Sequence, residues 1–175
     1  ELSDKRIVLI LDVERVLSET AQLGKDIDEM CDLESLKDTD VTVLYADDSS
    51  MARKQIESTL KQLGVRFIGT RNGAEAWQKM NELAERAASS HVPTHQLVQA
   101  IVTDIEMPEM DGFVLTRKIK TDARFAGIPV IMHSSLSADA NIALGKSMGA
   151  DVYVAKFSPK DLAEALRPVL DASRR

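Results

Sequence analysis

The chain of 175 residues is poor in several features, and each shortage excludes a class of protein. Its single cysteine, Cys31, excludes an internal disulfide framework and favours a reducing compartment. Its longest apolar run, Ile7 to Leu11, is too short for a membrane span or for the core of a signal peptide. Its 22 Lys and Arg are outnumbered by 28 Asp and Glu, which disfavours binding to nucleic acid or to an anionic membrane.

The apolar content is sufficient for a folded core, since 44% of the residues are hydrophobic. The length is typical of one domain, here with an additional segment. Composition changes near residue 40. Residues 1–17 contain the apolar run, which we predict to be a strand, and residues 18–39 are strongly acidic. Since the chain begins with Glu1, we expect it to be a fragment of a longer protein.

The acidic segment 18–39 has two interpretations. Its apolar residues recur at a spacing of three, which is typical of a short amphipathic helix. A solvated linker whose few apolar side chains rest on a neighbouring surface explains the same pattern. The sequence leaves both interpretations open. The residues concerned are Ile27, Met30, Leu33 and Leu36.

From Val41 onward, apolar runs typical of strands alternate with amphipathic segments typical of helices. Helix starts are marked by Ser49 or Ser50, and by Ser158 before Pro159. Because the strands are apolar throughout, we predict a doubly wound α/β fold with a five-stranded parallel sheet between helix layers. The predicted strands cover 41–46, 65–69, 100–103, 128–132 and 152–155, and the predicted helices cover about 50–63, 74–88, 113–120, 137–148 and 159 onward.

Polar residues stand where the predicted strands end. Asp47 and Asp48 follow the first strand, Asp104 the third, Ser134 the fourth and Lys156 the fifth. In doubly wound folds, ligands bind beyond the carboxyl ends of the strands. Carboxylates held close together resist ionisation unless a cation joins them. A hard divalent ion such as Mg²⁺ fits these oxygen ligands, so the sequence predicts a magnesium site at this edge.

The same residues suit phosphoryl chemistry. Asp104 is a candidate nucleophile that would form an acyl phosphate. Lys156 and the metal would neutralise charge on the transferring group, and the Ser134 hydroxyl would bind a phosphate oxygen. Pro108 fixes a tight loop after Asp104, which could direct the backbone carbonyl of Glu106 at the metal.

Residues 41–171 resemble the receiver domain of response regulators, the phospho-accepting half of two-component systems. The resemblance rests on the pair Asp47-Asp48, the run IVTDIEMPEMDG around Asp104, Ser134 after PVIMH, and GADVYVAK ending in Lys156. It implies a flavodoxin-like sheet with strand order 2-1-3-4-5.

The resemblance also implies a metal-binding role for each acidic residue. Asp104 is then the phosphorylated residue, and Mg²⁺ is the cofactor. Asp48, Asp104 and the backbone carbonyl of Glu106 bind the ion, while Asp47 acts through a metal-bound water. Asp48 and Asp104 are 56 positions apart, more than in compact receivers, and we expect the loop 85–99 to hold the excess. The acidic side chain of Glu106 departs from the pattern and could alter the phosphoryl lifetime.

By the same resemblance, Lys156 and Ser134 stabilise the phosphoryl group, and Tyr153 pairs with Ser134 as a rotating switch aromatic. Two further departures lie here. The family often has Pro after the lysine, joined by a cis peptide, whereas this chain has Phe157, for which we expect a trans bond. Ser135 stands where the family often has Ala, at a position that controls access of phosphate.

The first stretch, KRIVLILDVERVLSE, resembles the final strand of a CheW-like coupling domain. A CheW-like domain followed by a receiver is the layout of the CheV family of chemotaxis coupling proteins. We therefore expect a CheW-like remnant over 1–17, an acidic linker over 18–39 and a receiver over 40–172. The expected partners are a chemotaxis histidine kinase, the chemoreceptor array and the upstream CheW-like domain, in the cytoplasm. Residues 7–11, without their own sheet, are expected to promote self-association.

Three functions are compatible with these residues. The first is a phosphorylation-controlled module that tunes receptor–kinase coupling or adaptation. The second is an aspartyl-phosphate phosphatase or phosphotransferase, which normally has two Asp separated by one residue after its first strand; here Asp47 and Asp48 are adjacent. The third is a scaffold or phosphate sink that does not switch. The intact acceptor set favours the first, a signalling module without a separate substrate.

Overall fold

The computed structural model describes residues 40–135 and 139–172. Predictions for 1–39, including the strand at 7–11 and the acidic segment 18–39, lie outside the described residues. Within those residues, five strands alternate with five helices. The strands are β1 (Thr42–Ala46), β2 (Arg66–Thr70), β3 (Ala100–Thr103), β4 (Val130–Ser134) and β5 (Val152–Ala155). The helices are α1 (Ser50–Gln62), α2 (Gly73–Ser89), α3 (Gly112–Thr121), α4 (Asp139–Ser147) and α5 (Pro159–Ala172).

All neighbouring strands pair in parallel, in the order β2-β1-β3-β4-β5. This confirms the predicted doubly wound fold and the flavodoxin-like order. The order reverses between β1 and β3, which are neighbours in space. Their carboxyl ends therefore form the crevice where this fold class binds ligands. None of the helices in the described ranges is long and apolar enough to cross a membrane.

The sheet is covered on both faces, which explains the continuous apolar character of its strands. Alternate side chains of β1 point to opposite faces: Val43 packs in the cluster beneath α1 and α5, and Leu44 in the cluster beneath α2 and α3. The first cluster includes Ile56, Leu60, Leu162 and Leu166. The second includes Met80, Leu83, Leu115, Ile119 and Phe125.

The helix starts agree with the sequence signals. The Ser49 side chain caps α1 by accepting a hydrogen bond from the Ala52 N–H, and Ser158 accepts one from the Asp161 N–H at the start of α5. Gly64 ends α1 at φ +67°, in the left-handed region that glycine adopts readily.

Two predicted boundaries were wrong. Residues 85–89 belong to α2, so the connection to β3 is only 90–99 and contains the 3₁₀ helix Thr94–Gln96. Strand β4 starts at Val130 instead of Ile128. Pro129 has no N–H to donate, and the Ile128 N–H donates to the Phe125 carbonyl in the preceding 3₁₀ turn.

Candidate functional site

The carboxyl edge of the sheet brings the predicted acidic residues together. Asp47 and Asp48 follow β1, and Asp104 follows β3, its neighbour in the sheet. Each of the three offers one carboxylate oxygen, and these oxygens lie within 4.8 Å of one another. Asp47 and Asp104 are buried, whereas Asp48 is exposed and open to a ligand arriving from solvent.

Lys156, the residue after β5, reaches two of these carboxylates. Its Nζ lies 2.7 Å from Oδ2 of Asp104 and 2.9 Å from Oδ2 of Asp47. The lysine side chain is only 9% exposed and that of Asp47 is fully buried, so solvent screens these ion pairs little. The ammonium thus places one positive charge on the buried side of the acidic cluster, next to Asp47 and Asp104.

Burial and the neighbouring charges act in opposite directions on the pKa values of Asp47 and Lys156. Burial raises the pKa of Asp47 above its ordinary value, although the nearby Lys156 ammonium and the hydrogen bond from the Ser49 N–H oppose the rise. Burial also disfavours charge on Lys156, but Asp104 and Asp47 outweigh it and raise the lysine pKa. The lysine therefore stays protonated, and one ammonium does not fully compensate the buried carboxylates.

The donor set fits Mg²⁺. It consists of carboxylate oxygens, which this hard cation prefers, on a partly open edge where it can keep several waters. Oδ1 of Asp47 accepts a hydrogen bond from the Ser49 N–H at 2.8 Å. Its Oδ2 has Lys156 at ion-pair distance but no well-aligned donor among the described residues. That oxygen is therefore suited to accept a hydrogen bond from a metal-bound water.

Asp104 is held firmly by its backbone and by both side-chain oxygens. Its N–H donates to the Ala46 carbonyl at 2.8 Å, its Oδ1 accepts from the Ile105 N–H at 2.7 Å, and its Oδ2 accepts from Lys156. The Gly112 N–H donates to the Ile105 carbonyl at 2.9 Å and closes the loop that follows. A Cβ at Gly112 would overlap the Asp104 carbonyl oxygen, so the loop can close only over a glycine.

Ser134 and Tyr153, the predicted switch pair, are in contact. Ser134 ends β4, is buried, and its carbonyl accepts a hydrogen bond from the Lys156 N–H. Tyr153 lies half-buried on β5, diagonally opposite on the same face, and its side chain hydrogen-bonds that of Ser134. Burial raises the tyrosine pKa, and the hydrogen bond to Ser134 opposes the rise. The hydroxyl of Ser134 thus links the edge of the sheet to an aromatic ring beside α4.

The sequence analysis missed Arg53, which stabilises the acidic pair from behind. Its Nη1 donates hydrogen bonds to the backbone carbonyls of Asp47 at 3.0 Å and of Asp48 at 2.8 Å. No pattern distinguishes it from the other cations of α1, Lys54 and Lys61. Only its position one turn into the helix, behind the Asp pair, could have suggested the contact.

His133 lies in β4, one residue before Ser134. It is 1% exposed, because β4 lies between β3 and β5 under the helices of one face. Burial, with a smaller effect from the Lys156 charge, lowers its pKa to about 4. The imidazole is therefore neutral, and its Nδ1 has no hydrogen-bond partner among the described residues.

Phe157, at the position where the resembling family often has proline, has an unusual backbone. Its φ is +65°, in the left-handed region that a bulky residue rarely adopts. No peptide bond in the described ranges is cis. The phenylalanine ring is 38% exposed beside the buried lysine.

Comparison with known sequences matches the chain to a domain family and to chemotaxis proteins. Residues 43–167 match the family described as response regulator receiver domain. The chain is 34% identical over 170 residues to chemotaxis protein CheV2 of Helicobacter pylori, covering 95% of this chain and 51% of that protein. It is also 34% identical over 130 residues to chemotaxis protein CheY1 of the same organism, covering 73% of this chain and 95% of CheY1. The chain spans about half the length of the CheV relatives that it matches.

Among solved structures, the fold is similar to the receiver domain of the histidine kinase CKI1 from Arabidopsis thaliana, crystallised with Mg²⁺ and BeF₃⁻. The TM-score is 0.66 at 26% identity, and the match covers 80% of this chain and 95% of the other.

Proposed function

Because the chain belongs to the response regulator receiver domain family and is similar to CheV chemotaxis proteins, we propose that it accepts a phosphoryl group on Asp104 from a chemotaxis histidine kinase. The chain is a chemotaxis signalling module related to CheV and CheY proteins. The proposal adds the acceptor residue, the donor and the dependence on Mg²⁺.

The observation that carries this proposal is the 2.7 Å contact between Lys156 Nζ and Asp104 Oδ2 inside a cluster of carboxylates. A carboxylate oxygen of Asp104 attacks phosphorus, a new O–P bond forms, and the P–N bond to the donor histidine breaks. Lys156 stabilises charge on the phosphoryl oxygens, and the Ser134 hydroxyl donates to one of them. The chemistry is mainly positioning and charge neutralisation.

We propose that Asp48, Asp104 and the Glu106 backbone carbonyl bind Mg²⁺, with Asp47 acting through a metal-bound water. The bound ion would neutralise charge on the transferring group. The similar CKI1 receiver was crystallised with Mg²⁺ and BeF₃⁻, which supports this assignment. Since Asp48 is the exposed member of the cluster, its loss should weaken metal binding while leaving the buried ion pair intact.

The wider context is also a proposal. Residues 1–17 would be the end of a CheW-like domain, 18–39 a linker and 40–172 the receiver, acting in the cytoplasm with a histidine kinase and chemoreceptors. Phosphorylation would alter the contact between Ser134 and Tyr153, and through the face formed by α4, β5 and α5 it would tune receptor–kinase coupling. Deleting 1–17 should preserve phosphorylation and reduce self-association through 7–11. Failure of the shortened chain to fold would contradict this domain division.

The deciding experiment is phosphotransfer from a ³²P-labelled chemotaxis kinase, with and without EDTA. We expect one phosphate per chain, lost in Asp104→Asn and reduced in Asp48→Asn or with EDTA. Glu106→Gln is the matched control, since it removes a nearby carboxylate but keeps the backbone carbonyl. Label that persists in Asp104→Asn would refute the acceptor assignment. Continuous release without retained label would indicate an enzyme, and no transfer to the unaltered chain would indicate a scaffold.

A further inference from the structure

A shallow apolar groove runs along the outer side of α1 and ends at the start of α5. It has a volume of about 220 Å³. The contributing residues of α1 recur at helical spacing, so a single stripe of the helix forms one wall. The opposite wall is Phe157 and Pro159. The stripe consists of Met51, Lys54, Gln55, Ser58, Thr59 and Gln62.

Three features indicate that this groove receives a ligand. Met51 is 63% exposed and Phe157 is 38% exposed, so two of the five large exposed hydrophobic residues in the described ranges meet here. Phe157 has a strained backbone at φ +65°, and such outliers concentrate where function requires them. The side-chain amide of Gln55 is buried at the groove, and neither its nitrogen nor its oxygen has a partner among the described residues.

The size and charge of the groove indicate which kind of ligand would fit it. Its volume is below the roughly 300–1,000 Å³ of pockets that enclose small molecules, but a row of apolar anchors on a helix could fill it. Among the residues that the structure describes, the only charged one lining the groove is the cation Lys54. Helix α1 carries Arg53, Lys54 and Lys61 against a single acid, Glu57, although the whole chain has a net charge of −6. An acidic amphipathic helix is therefore the complementary ligand.

The chain itself contains a segment whose composition and residue spacing suit this role. Residues 18–39 have an excess of acids over two lysines, and their apolar residues are spaced to form a helical stripe. The acids are Glu19, Asp26, Asp28, Glu29, Asp32, Glu34 and Asp38, and the apolar residues are Leu23, Ile27, Met30, Leu33 and Leu36.

The carboxyl end of the segment also joins the domain close to the groove. It joins the described domain at Asp40, which forms an ion pair with Arg66 at 3.5 Å, four residues after the end of α1. The chain therefore leaves the domain near the end of the groove formed by Gln62. Helix α1 has 13 residues and is about 20 Å long, and the 22 residues of 18–39 in a helix would span about 33 Å.

We propose that residues 18–39 dock as an acidic amphipathic helix in the groove between α1 and the start of α5, within the same chain. Met51 lies three residues after Asp48, and Phe157 directly follows Lys156. The docked segment therefore lies beside the loop that carries Asp47 and Asp48 and the loop that carries Lys156. It also covers α1 against other proteins. This inference does not depend on phosphorylation of Asp104.

Cys31 makes the test direct, because it lies in the segment and is the only cysteine. A second cysteine is introduced by Ser58→Cys in the groove, or by Gln78→Cys on the exposed side of α2, across the sheet, as the control. Both chains are treated with a short bismaleimide, and intrachain and interchain products are separated by mass. Any tethered segment has some effective concentration near both positions, and the Gln78→Cys yield measures that background. Docking predicts an intrachain yield about tenfold higher for Ser58→Cys than for Gln78→Cys.

A second comparison tests whether the apolar stripe is the anchor. Ile27→Asp together with Met30→Asp should reduce the Ser58→Cys product to the level of the Gln78→Cys control, while the circular dichroism of the domain stays the same. Equal yields at the two positions would overturn the proposal. Crosslinks only between two chains would overturn it in favour of a second copy as the occupant. Unchanged yield in the doubly substituted segment would overturn the proposed apolar contact.

Discussion

The guanidinium of Arg53 donates a hydrogen bond of 2.8 Å to the backbone carbonyl of Asp48. The same Nη1 also bonds the Asp47 carbonyl, so one side chain of α1 fixes the backbone of both acidic residues. The planar guanidinium can hold two carbonyls at once, which a lysine cannot reproduce with the same geometry. Arg53 therefore sets the orientation from which the Asp48 carboxylate meets a metal.

Arg53→Lys, which keeps the charge, should weaken Mg²⁺ binding about tenfold, as is typical when a residue supporting a metal ligand is lost. Calorimetric titration with Mg²⁺ gives the affinity, and thermal unfolding shows that the fold is intact. Lys54→Arg, on the next residue of α1, is the control and should leave the affinity unchanged. Equal affinities for Arg53→Lys and the unaltered chain would show that the acidic pair is positioned without Arg53.

Gly112→Ala should damage both the fold and the site. The added methyl would overlap the Asp104 carbonyl oxygen, so the loop must shift, at a cost of about 1–3 kcal/mol. Phosphorylation of Asp104 should fall with it. Gly127→Ala is the contrasting variant: its φ is +83°, but apart from its chain neighbours no atom of the described residues lies within 4 Å of the added Cβ. It should cost about 1–2 kcal/mol through backbone strain alone and leave phosphorylation intact. Urea unfolding and phosphotransfer, measured together, separate the two effects.

His133 should make the domain less stable in mild acid. Its pKa in the folded state is about 4 against an ordinary value of 6.5, so between these values the unfolded chain binds a proton that the folded chain does not. The stability from the neutral imidazole is complete above pH 6.5 and is lost as the pH falls towards 4. Between pH 7 and pH 5 the loss should be about 2 kcal/mol.

His133→Val should remove that loss, and it also removes the unpartnered Nδ1 from the interior. Urea unfolding at pH 7 and pH 5 gives the measurement, and His95→Val, at an exposed position, controls for the loss of a histidine as such. Identical pH dependence in His133→Val and the unaltered chain would assign the acid sensitivity to other groups.

The contact between Ser134 and Tyr153 should respond to a phosphoryl mimic. Beryllofluoride on Asp104 would draw the Ser134 hydroxyl towards its fluorines, away from its hydrogen bond with Tyr153. Amide hydrogen exchange should then change across α4, β5 and α5 as well as in the loops of the site. Tyr153→Phe, which lacks the hydroxyl, should show a smaller change in these elements. Changes restricted to the loops would mean that the domain stores a phosphoryl group without switching.

Much of the fold was predictable because the hydrophobic pattern and the helix-start residues indicate the same elements. Continuous apolar strands predicted a sheet buried on both faces, and residues such as Ser49 and Ser158 marked helix starts through local hydrogen bonds. The predicted start of one strand failed where a local turn competed with the strand. The predicted start of β4 at Ile128 ignored the preceding 3₁₀ turn, whose Phe125 carbonyl accepts the Ile128 N–H.

The acidic cluster was predictable for a geometric reason, since parallel strands bring their carboxyl ends to one edge. Arg53 and His133 were not, because their environment depends on tertiary packing. The guanidinium of Arg53 bends back to carbonyls five and six residues earlier, outside the i,i+4 pattern of a helix. The burial of His133 follows from the position of β4 between β3 and β5, which composition does not show.

The contact between Lys156 and Asp104 joins residues 52 positions apart. No stretch of one or two neighbouring elements contains both the acidic cluster and Lys156, so the complete site forms only when β1, β3 and β5 have assembled into one sheet. A ligand of this site therefore binds the folded chain but not the unfolded chain, and it stabilises the fold against global unfolding. At a concentration 100 times its dissociation constant it would add about 2.7 kcal/mol to the free energy of unfolding. Resistance of remote segments such as α2 to proteolysis would then report the occupancy of a site that they do not touch.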